Sequence, residues 1–321
     1  MPAQNKSLHE FFDIAVNATD LIFRGSYRGK QEHADDMTHV LQRSRDAGCS
    51  QWLVTGTDLE DSQKAHALCL EHPDMLVCTA GIHPTQSKLW LEYRDGPDAC
   101  LDALMALIQQ DQTSSNPRIR AFGELGLDYD RLDWSPKDTQ LACFRAQMEL
   151  AVAFQLPLFL HSRAAANDFA SILDVYQARL PKRGVVHSFT GTLEEMQSLC
   201  AQGWSIGING CSLKTQENLH VAKHVPLDKL MLETDAPWCE IRPSHASMAL
   251  LQKPDCTGEA APVLEDARKV ERFEMGLRVR GRNEPCSVSQ VAFAVANIKG
   301  ISMAEVSQAA YRNSMSMFGM A

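Results

Sequence analysis

Eight short apolar runs recur along the chain, each followed by a longer amphipathic stretch, and no other feature restricts the fold as much. The runs are "FFDIA" (11–15), "QWLVTG" (51–56), "LVCTAGIH" (76–83) and "IRAFGE" (119–124), then "PLFLHS" (157–162), "GVVHSF" (184–189), "WSIGIN" (204–209) and "LMLETD" (230–235). Runs this short and this continuously apolar suit strands buried on both faces, the condition of a parallel sheet covered by helices. The stretches between them carry helical spacing. In "DTQLACFRAQMELAVAF" (138–154), Leu141, Phe144, Met148 and Ala151 fall on one face. Eight such units over about 230 residues fit an α/β fold of the (β/α)8 TIM-barrel type. A doubly wound open sheet is the alternative, and the lack of a GxGxxG or GxxxxGK[ST] loop counts against it. Residues 240–285 break the rhythm, being polar and proline-containing. They read as a long loop excursion after the eighth strand, before two closing helices in "QVAFAVANIKGISMAEVSQAAYRNSMSMF" (290–318). Residues 1–10 read as an N-terminal extension and 11–321 as a single domain.

Composition removes several function classes. With 321 residues, 45% of them hydrophobic, the chain can bury a large core. Its formal net charge of -9 does not suit a protein that grips nucleic acid by general neutralisation of the backbone. A polyanionic substrate therefore needs a local site or metal ions. The ten cysteines are scattered, with no CxxC pair, and read as reduced and mostly buried thiols of an intracellular protein. "MPAQNKSLHEFF" lacks a basic segment followed by an apolar one, so no secretory signal is expected. Nothing approaches the ~20 apolar residues of a membrane span. The expectation is a soluble intracellular protein, in cytoplasm or nucleus, with the mitochondrion left open and a monomer favoured.

The apolar runs share a feature that packing alone does not require. Several stop on, or carry, a residue able to bind a metal or move a proton: Asp13, His83, Glu124, His161, His187 and Asp235. In a (β/α)8 barrel the strand C-termini open onto one face, so residues distant in sequence converge there. Glu124 is flanked by Gly123 and Gly126, small neighbours that would let the backbone pass close to whatever the carboxylate binds. Taken singly, each residue has a plainer reading: a histidine after a strand as a hydrogen-bonded core residue, Asp235 as a helix N-cap. Taken together, Glu124, His161, His187 and Asp235 read as metal ligands. Mixed imidazole and carboxylate donors suit Mg²⁺, Mn²⁺ or Zn²⁺, and the absence of thiolates argues against a structural zinc. One ion or two would fit. Two would need a bridging carboxylate, for which Glu124 is placed, and ions about 3.5–4 Å apart can activate water and stabilise both oxygens of a phosphodiester displacement.

Other candidates carry less. His220 and His224 stand at helical spacing and could hold zinc, but surface placement is favoured. "TLEE" (192–195) reads as a capping box whose helix N-terminus could hold an anion. Arg163, two residues after His161, is poised for a phosphate, against a surface salt bridge. No GxSxG elbow and no HExxH motif occurs.

The stretches "GIHP" (81–84), "GELGLDYDR" (123–131), "LPLFLHSR" (156–163), "GVVHSFTGT" (184–192), "IGINGCSLKT" (206–215) and "LMLETDAPWC" (230–239) together resemble the TatD-type deoxyribonucleases, metal-dependent hydrolases. "NATDLIFRGSYRGKQEHADD" (17–36) and "RNEPC" (282–286) resemble the eukaryotic subgroup. The resemblance spans nearly the whole chain. It implies a (β/α)8 barrel, a divalent-metal site and hydrolysis of DNA phosphodiesters, often as a 3′→5′ exonuclease on single-stranded or duplex ends. It places the family's metal ligands on Glu124, His161, His187 and Asp235, and a histidine near the substrate phosphate on His83.

One departure matters. Many family members open with Asp-x-His-x-His, where this chain has Asp13, Ala15 and Asn17. Without those imidazoles a second ion should be held loosely, with Mg²⁺ or Mn²⁺ preferred over tight Zn²⁺. The chemistry implied uses Asp235 as base, Glu124 and the histidines to place the ions, and His83 and Arg163 on the non-bridging oxygens. The rivals are a hydrolase of a small ester, lactone or amide on the same scaffold, and a non-catalytic scaffold within a DNA-fragmentation assembly.

Overall fold

Each of the eight apolar runs forms a strand: β1 (Phe11–Val16), β2 (Cys49–Val54), β3 (Leu76–Ala80), β4 (Ile119–Asp128), β5 (Leu158–Arg163), β6 (Gly184–Val186), β7 (Ser205–Ile208) and β8 (Leu230–Leu232). In this computed structural model, which describes residues 9–320, they join one sheet in sequence order. The register is parallel from β3 through β7. Residues 1–8 of the expected N-terminal extension lie outside the described residues. The helices are α1 (Met37–Asp46), α2 (Leu59–Glu71), α3 (Ser87–Leu91), α4 (Pro97–Gln112), α5 (Lys137–Phe154), α6 (Ala166–Tyr176), α7 (Leu193–Ala201), α8 (Gln216–His224), α9 (Val288–Lys299) and α10 (Met303–Met317). Strand and helix alternate through β8, giving the expected TIM-barrel-like α/β fold. Among the described residues no helix is long and apolar enough to cross a membrane. All ten cysteines are free thiols, most of them buried.

Strand ends differ from the expected ones for local reasons. β6 and β8 stop three residues early, because the chain then passes through left-handed backbone at Ser188 (φ 48°) and Asp235 (φ 54°). His187 and Asp235 therefore stand on turns beyond their strands. β4 runs four residues further than expected, to Asp128.

The chain divides into two compact units: the chain through Trp52 with Gly207–Met315, and Leu53–Ile206 with residues 316–320. In the first unit, β1 is buried throughout and Val16 bridges Ala236 in parallel, with the Asn17 amide donating to the Ala236 carbonyl at 2.8 Å. Helix α9 is buried round most of its circumference and packs on β1, β8 and α8. The expected excursion lies between β8 and α9, built from short turns and one two-residue ladder pairing Ala267–Arg268 with Arg278–Val279. A buried ion network ties it down. Arg282 donates to both Asp36 oxygens (2.7 and 2.6 Å) and to Glu284 (2.9 Å), while Arg43 Nε donates to Glu284 at 2.8 Å.

In the second unit, α5 packs on β4. Its inner face differs from the apolar stripe expected. Cys143, Phe144, Met148 and Ala151 are buried, but so are Gln140 and Gln147, while Leu141 is only half-buried. The glutamines lie two helical turns apart, so both face inward. Each closes a two-way amide clamp on a strand end. Gln140 accepts from Asp128 N and donates to Asp128 O, both at 2.8 Å. Gln147 accepts from Ile82 N at 2.8 Å and donates to Ile82 O at 2.9 Å.

Candidate active site and metal centre

The site begins with β4 and its glycines. Gly123 and Gly126 have φ of 149° and 145°, which L side chains avoid. A Cβ on either would strike the neighbouring strand β5, at the carbonyl of Phe159 or of His161. The glycines thus make room for β5 rather than for a ligand, which corrects the expectation from sequence. The register pairs Gly123 with Phe159 and Leu125 with Leu160, so Glu124 is the extra residue of a β-bulge. Bulges re-aim a side chain beside functional sites. Beyond it, Glu124 and Asp128 recur on the same face of the strand at even spacing.

Ring nitrogens gather on one oxygen of Glu124. His187 Nε2 lies 2.7 Å from Oε1, His161 Nδ1 2.9 Å and His83 Nε2 3.2 Å. His161 Nδ1 and His187 Nε2 also face each other at 3.3 Å. On its far side His161 Nε2 is 3.4 Å from Asp128 Oδ2. Glu124 is 4% exposed, and burial alone would raise its pKa. The charge of His187 and His83 and the hydrogen bonds from His161 and His187 hold it well below the usual carboxylate range. His161 is pushed the other way: burial disfavours its charge, but Asp128 and Glu124 together raise its pKa.

His83 is distinct within the cluster. The Thr85 backbone N–H donates to its Nδ1 at 3.1 Å, so the ring proton belongs on Nε2, facing Glu124. Burial lowers its pKa, against the pull of the Glu124 carboxylate. It is a hydrogen-bond donor with a fixed tautomer. One ligand atom each of His83, Glu124 and His161 lies within 4.8 Å of the others, and His187 Nε2 reaches the same Glu124 oxygen, a mixed imidazole and carboxylate set that fits a divalent cation.

The second unit therefore brings together three of the four residues read as ligands, Glu124, His161 and His187, and adds His83. Asp235 belongs to the first unit. Its Oδ1 accepts from Asn17 Nδ2 at 2.9 Å and its Oδ2 from the Cys239 thiol at 3.2 Å. Asn17, one of the two residues that depart from the Asp-x-His-x-His pattern, thus orients this carboxylate. Asp13 does not end its strand: it is fully buried, and Thr234 donates to both its oxygens, at 2.9 and 2.5 Å. Arg163 ends β5, half-buried, with an Nε that has no hydrogen-bond partner among the described residues. His220 and His224 are exposed on α8, as expected. Thr192 and Glu195 form the capping box of α7. Sequence reasoning missed Asp128, Gln140 and Gln147. Even spacing in "GELGLD" could have suggested Asp128.

Comparison with known proteins bears on this geometry. The TatD related DNase family profile matches residues 12–319. Deoxyribonuclease Tat-D of Schizosaccharomyces pombe is 45% identical over 312 residues, covering 97% of this chain and 96% of its own. The 3'-5' ssDNA/RNA exonuclease TatD of a Rahnella species is 39% identical over 230 residues, 71% of this chain and 78% of its own. An uncharacterized amidohydrolase from Saccharomyces cerevisiae superposes with a TM-score of 0.90 at 32% identity, covering 97% of this chain and all of its own. With its site geometry and these likenesses together, the chain belongs to the TatD family of deoxyribonucleases.

Proposed function

We propose that this protein is a divalent-metal-dependent nuclease that removes nucleotides 3′→5′ from single-stranded DNA ends. One observation carries the metal centre: imidazole nitrogens of His161 and His187 and a buried Glu124 oxygen aim at a common point. The substrate and polarity rest on family membership and on the activity for which the Rahnella relative is named. Glu124, His161, His187 and Asp235 are the residues proposed to hold the ion or ions, with Mg²⁺ and Mn²⁺ first to test and Zn²⁺ next. A bound divalent cation supplies Lewis-acid polarisation of a water and of phosphoryl oxygens.

The chain's own residues do the rest. Asp235, held by Asn17 and Cys239, accepts the proton of the attacking water at a carboxylate oxygen. His83 Nε2–H donates to a non-bridging phosphate oxygen, its tautomer fixed by Thr85. The Nε of Arg163, buried and without a partner among the described residues, supplies a second donor to the phosphate. Gln140 and Gln147 keep the strand ends beside Asp128 and His83 in place.

The test is digestion of a 5′-labelled single strand with Mg²⁺, Mn²⁺ or Zn²⁺ against EDTA, read on a sequencing gel. A ladder shortening from the 3′ end, abolished by EDTA, is expected. No cleavage with any of the cations, or cleavage that survives EDTA, overturns the reading. Hydrolysis of small esters or lactones with DNA untouched would favour the rival hydrolase.

A further inference from the structure

Between β8 and α9 the first unit forms a half-open cavity of about 420 Å³, within the range of small-ligand pockets. Ile241, Met248, Leu251 and Val291 give it an apolar wall, and Arg278 and Cys239 line it as well. Arg278 is 7% exposed, yet its guanidinium is poorly satisfied. Among the described residues Nε has no hydrogen-bond partner, Nη1 reaches only the Glu265 carbonyl at 3.5 Å, and Nη2 is 3.9 Å from Glu240 Oε1. The last distance is beyond hydrogen bonding. A buried cation left with so few acceptors is costly unless something else supplies them. Arg43 and Arg282 in the same unit show the alternative, with short bonds to paired carboxylates.

We propose that this cavity binds a nucleoside monophosphate, with the phosphate on Arg278 and the base against Ile241, Met248, Leu251 and Val291. A phosphate matches the guanidinium fork, and the apolar wall takes a flat ring. The nucleotide identity rests on the proposed reaction, which releases such products; the need for an anion at Arg278 does not. Cys239 connects the cavity to the chemistry, because its thiol donates to Asp235 at 3.2 Å. The product of the reaction thus has a seat one side chain away from the proposed base.

The experiment is calorimetric titration of the full chain with dAMP in EDTA, which removes binding through a metal ion. Deoxyadenosine and inorganic phosphate serve as comparison probes. The wild type and Glu124→Gln should bind dAMP equally. Arg278→Gln should bind it at least tenfold more weakly, and so should Leu251→Trp, which fills the cavity while keeping Arg278. Deoxyadenosine should also bind at least tenfold more weakly than dAMP. The proposal is overturned if dAMP does not bind the wild type, if both cavity variants bind it normally, if Glu124→Gln alone loses it, or if phosphate binds as tightly as dAMP. A wild type that digests the labelled strand yet ignores dAMP sinks the cavity and leaves the nuclease standing. One that binds dAMP through Arg278 without digesting DNA does the reverse.

Discussion

Two buried polar clusters in this molecule are built on opposite plans. The network of Asp36, Arg43, Arg282 and Glu284 is closed: two carboxylates face two guanidiniums, and the short bonds run from 2.6 to 3.1 Å. Within it only the fully buried Arg282 Nε lacks a partner among the described residues. Around Glu124 the ratio is lopsided, with the nitrogens of His83, His161 and His187 directed at a single oxygen and two of those nitrogens set against each other at 3.3 Å. A closed set of charges specifies a structure. An open set of donors sharing one focus specifies a place for something else, at some cost to stability.

The contrast predicts opposite outcomes for similar truncations. Glu124→Ala should lower DNA hydrolysis by a factor of about 10³ or more, as loss of a central electrostatic group does. Its urea midpoint should move little, since the imidazoles can give up their protons when the carboxylate goes. Single-turnover digestion and equilibrium unfolding would be measured on the same preparation. A variant that is folded and fully active, or one that is inactive because it is unfolded, would break the comparison. Arg282→Met should do the converse. It leaves Asp36 and Glu284, both fully buried, short of a cation, and breaking a buried pair in this way costs about 3–5 kcal/mol. The folded fraction should keep the wild-type kcat. Denaturant unfolding with activity normalised to folded protein checks it, and a drop of less than about 1 kcal/mol would show that the network contributes little.

The same contrast explains what could be read from sequence. Glu124, His161, His187 and Asp235 stood out because each interrupts or follows an apolar run, where burial makes an ionisable side chain conspicuous. The strands were legible for the reason that buried parallel strands are apolar throughout. Asp128 escaped notice because the bulge at Glu124 lets β4 continue four residues past the apparent end of the run. Gln140 and Gln147 escaped because an amide on a helix reads as a solvated position until the strand it clamps is known. Arg282 and Asp36 lie 246 residues apart, and no local pattern joins them. The role of the glycines was misread for a related cause: the nearest obstacle is the adjacent strand, which periodicity places only approximately.

Asp255 offers a third plan and the smallest effect. This buried carboxylate is held by neutral donors: the Thr257 hydroxyl at 2.6 Å and the backbone amides of Thr257, Glu259 and Met303 at 2.8, 3.1 and 3.0 Å. The Thr257 hydroxyl most of all, with the amides and against burial, holds its pKa down to about 2. The Met303 bond fastens the excursion to the start of α10. Because the folded-state pKa lies below the unfolded value of about 3.9, the stabilisation is fully present above that pH and is lost as pH falls toward 2. Asp255→Asn should therefore destabilise by about 1–3 kcal/mol at pH 7, and the gap from wild type should narrow below about pH 4. Urea midpoints at pH 7, 4 and 3 measure it. A gap that stays constant down to pH 3 would mean that the side chain acts through shape alone, and that dipoles without a counter-charge do not hold this carboxylate in its ionised form.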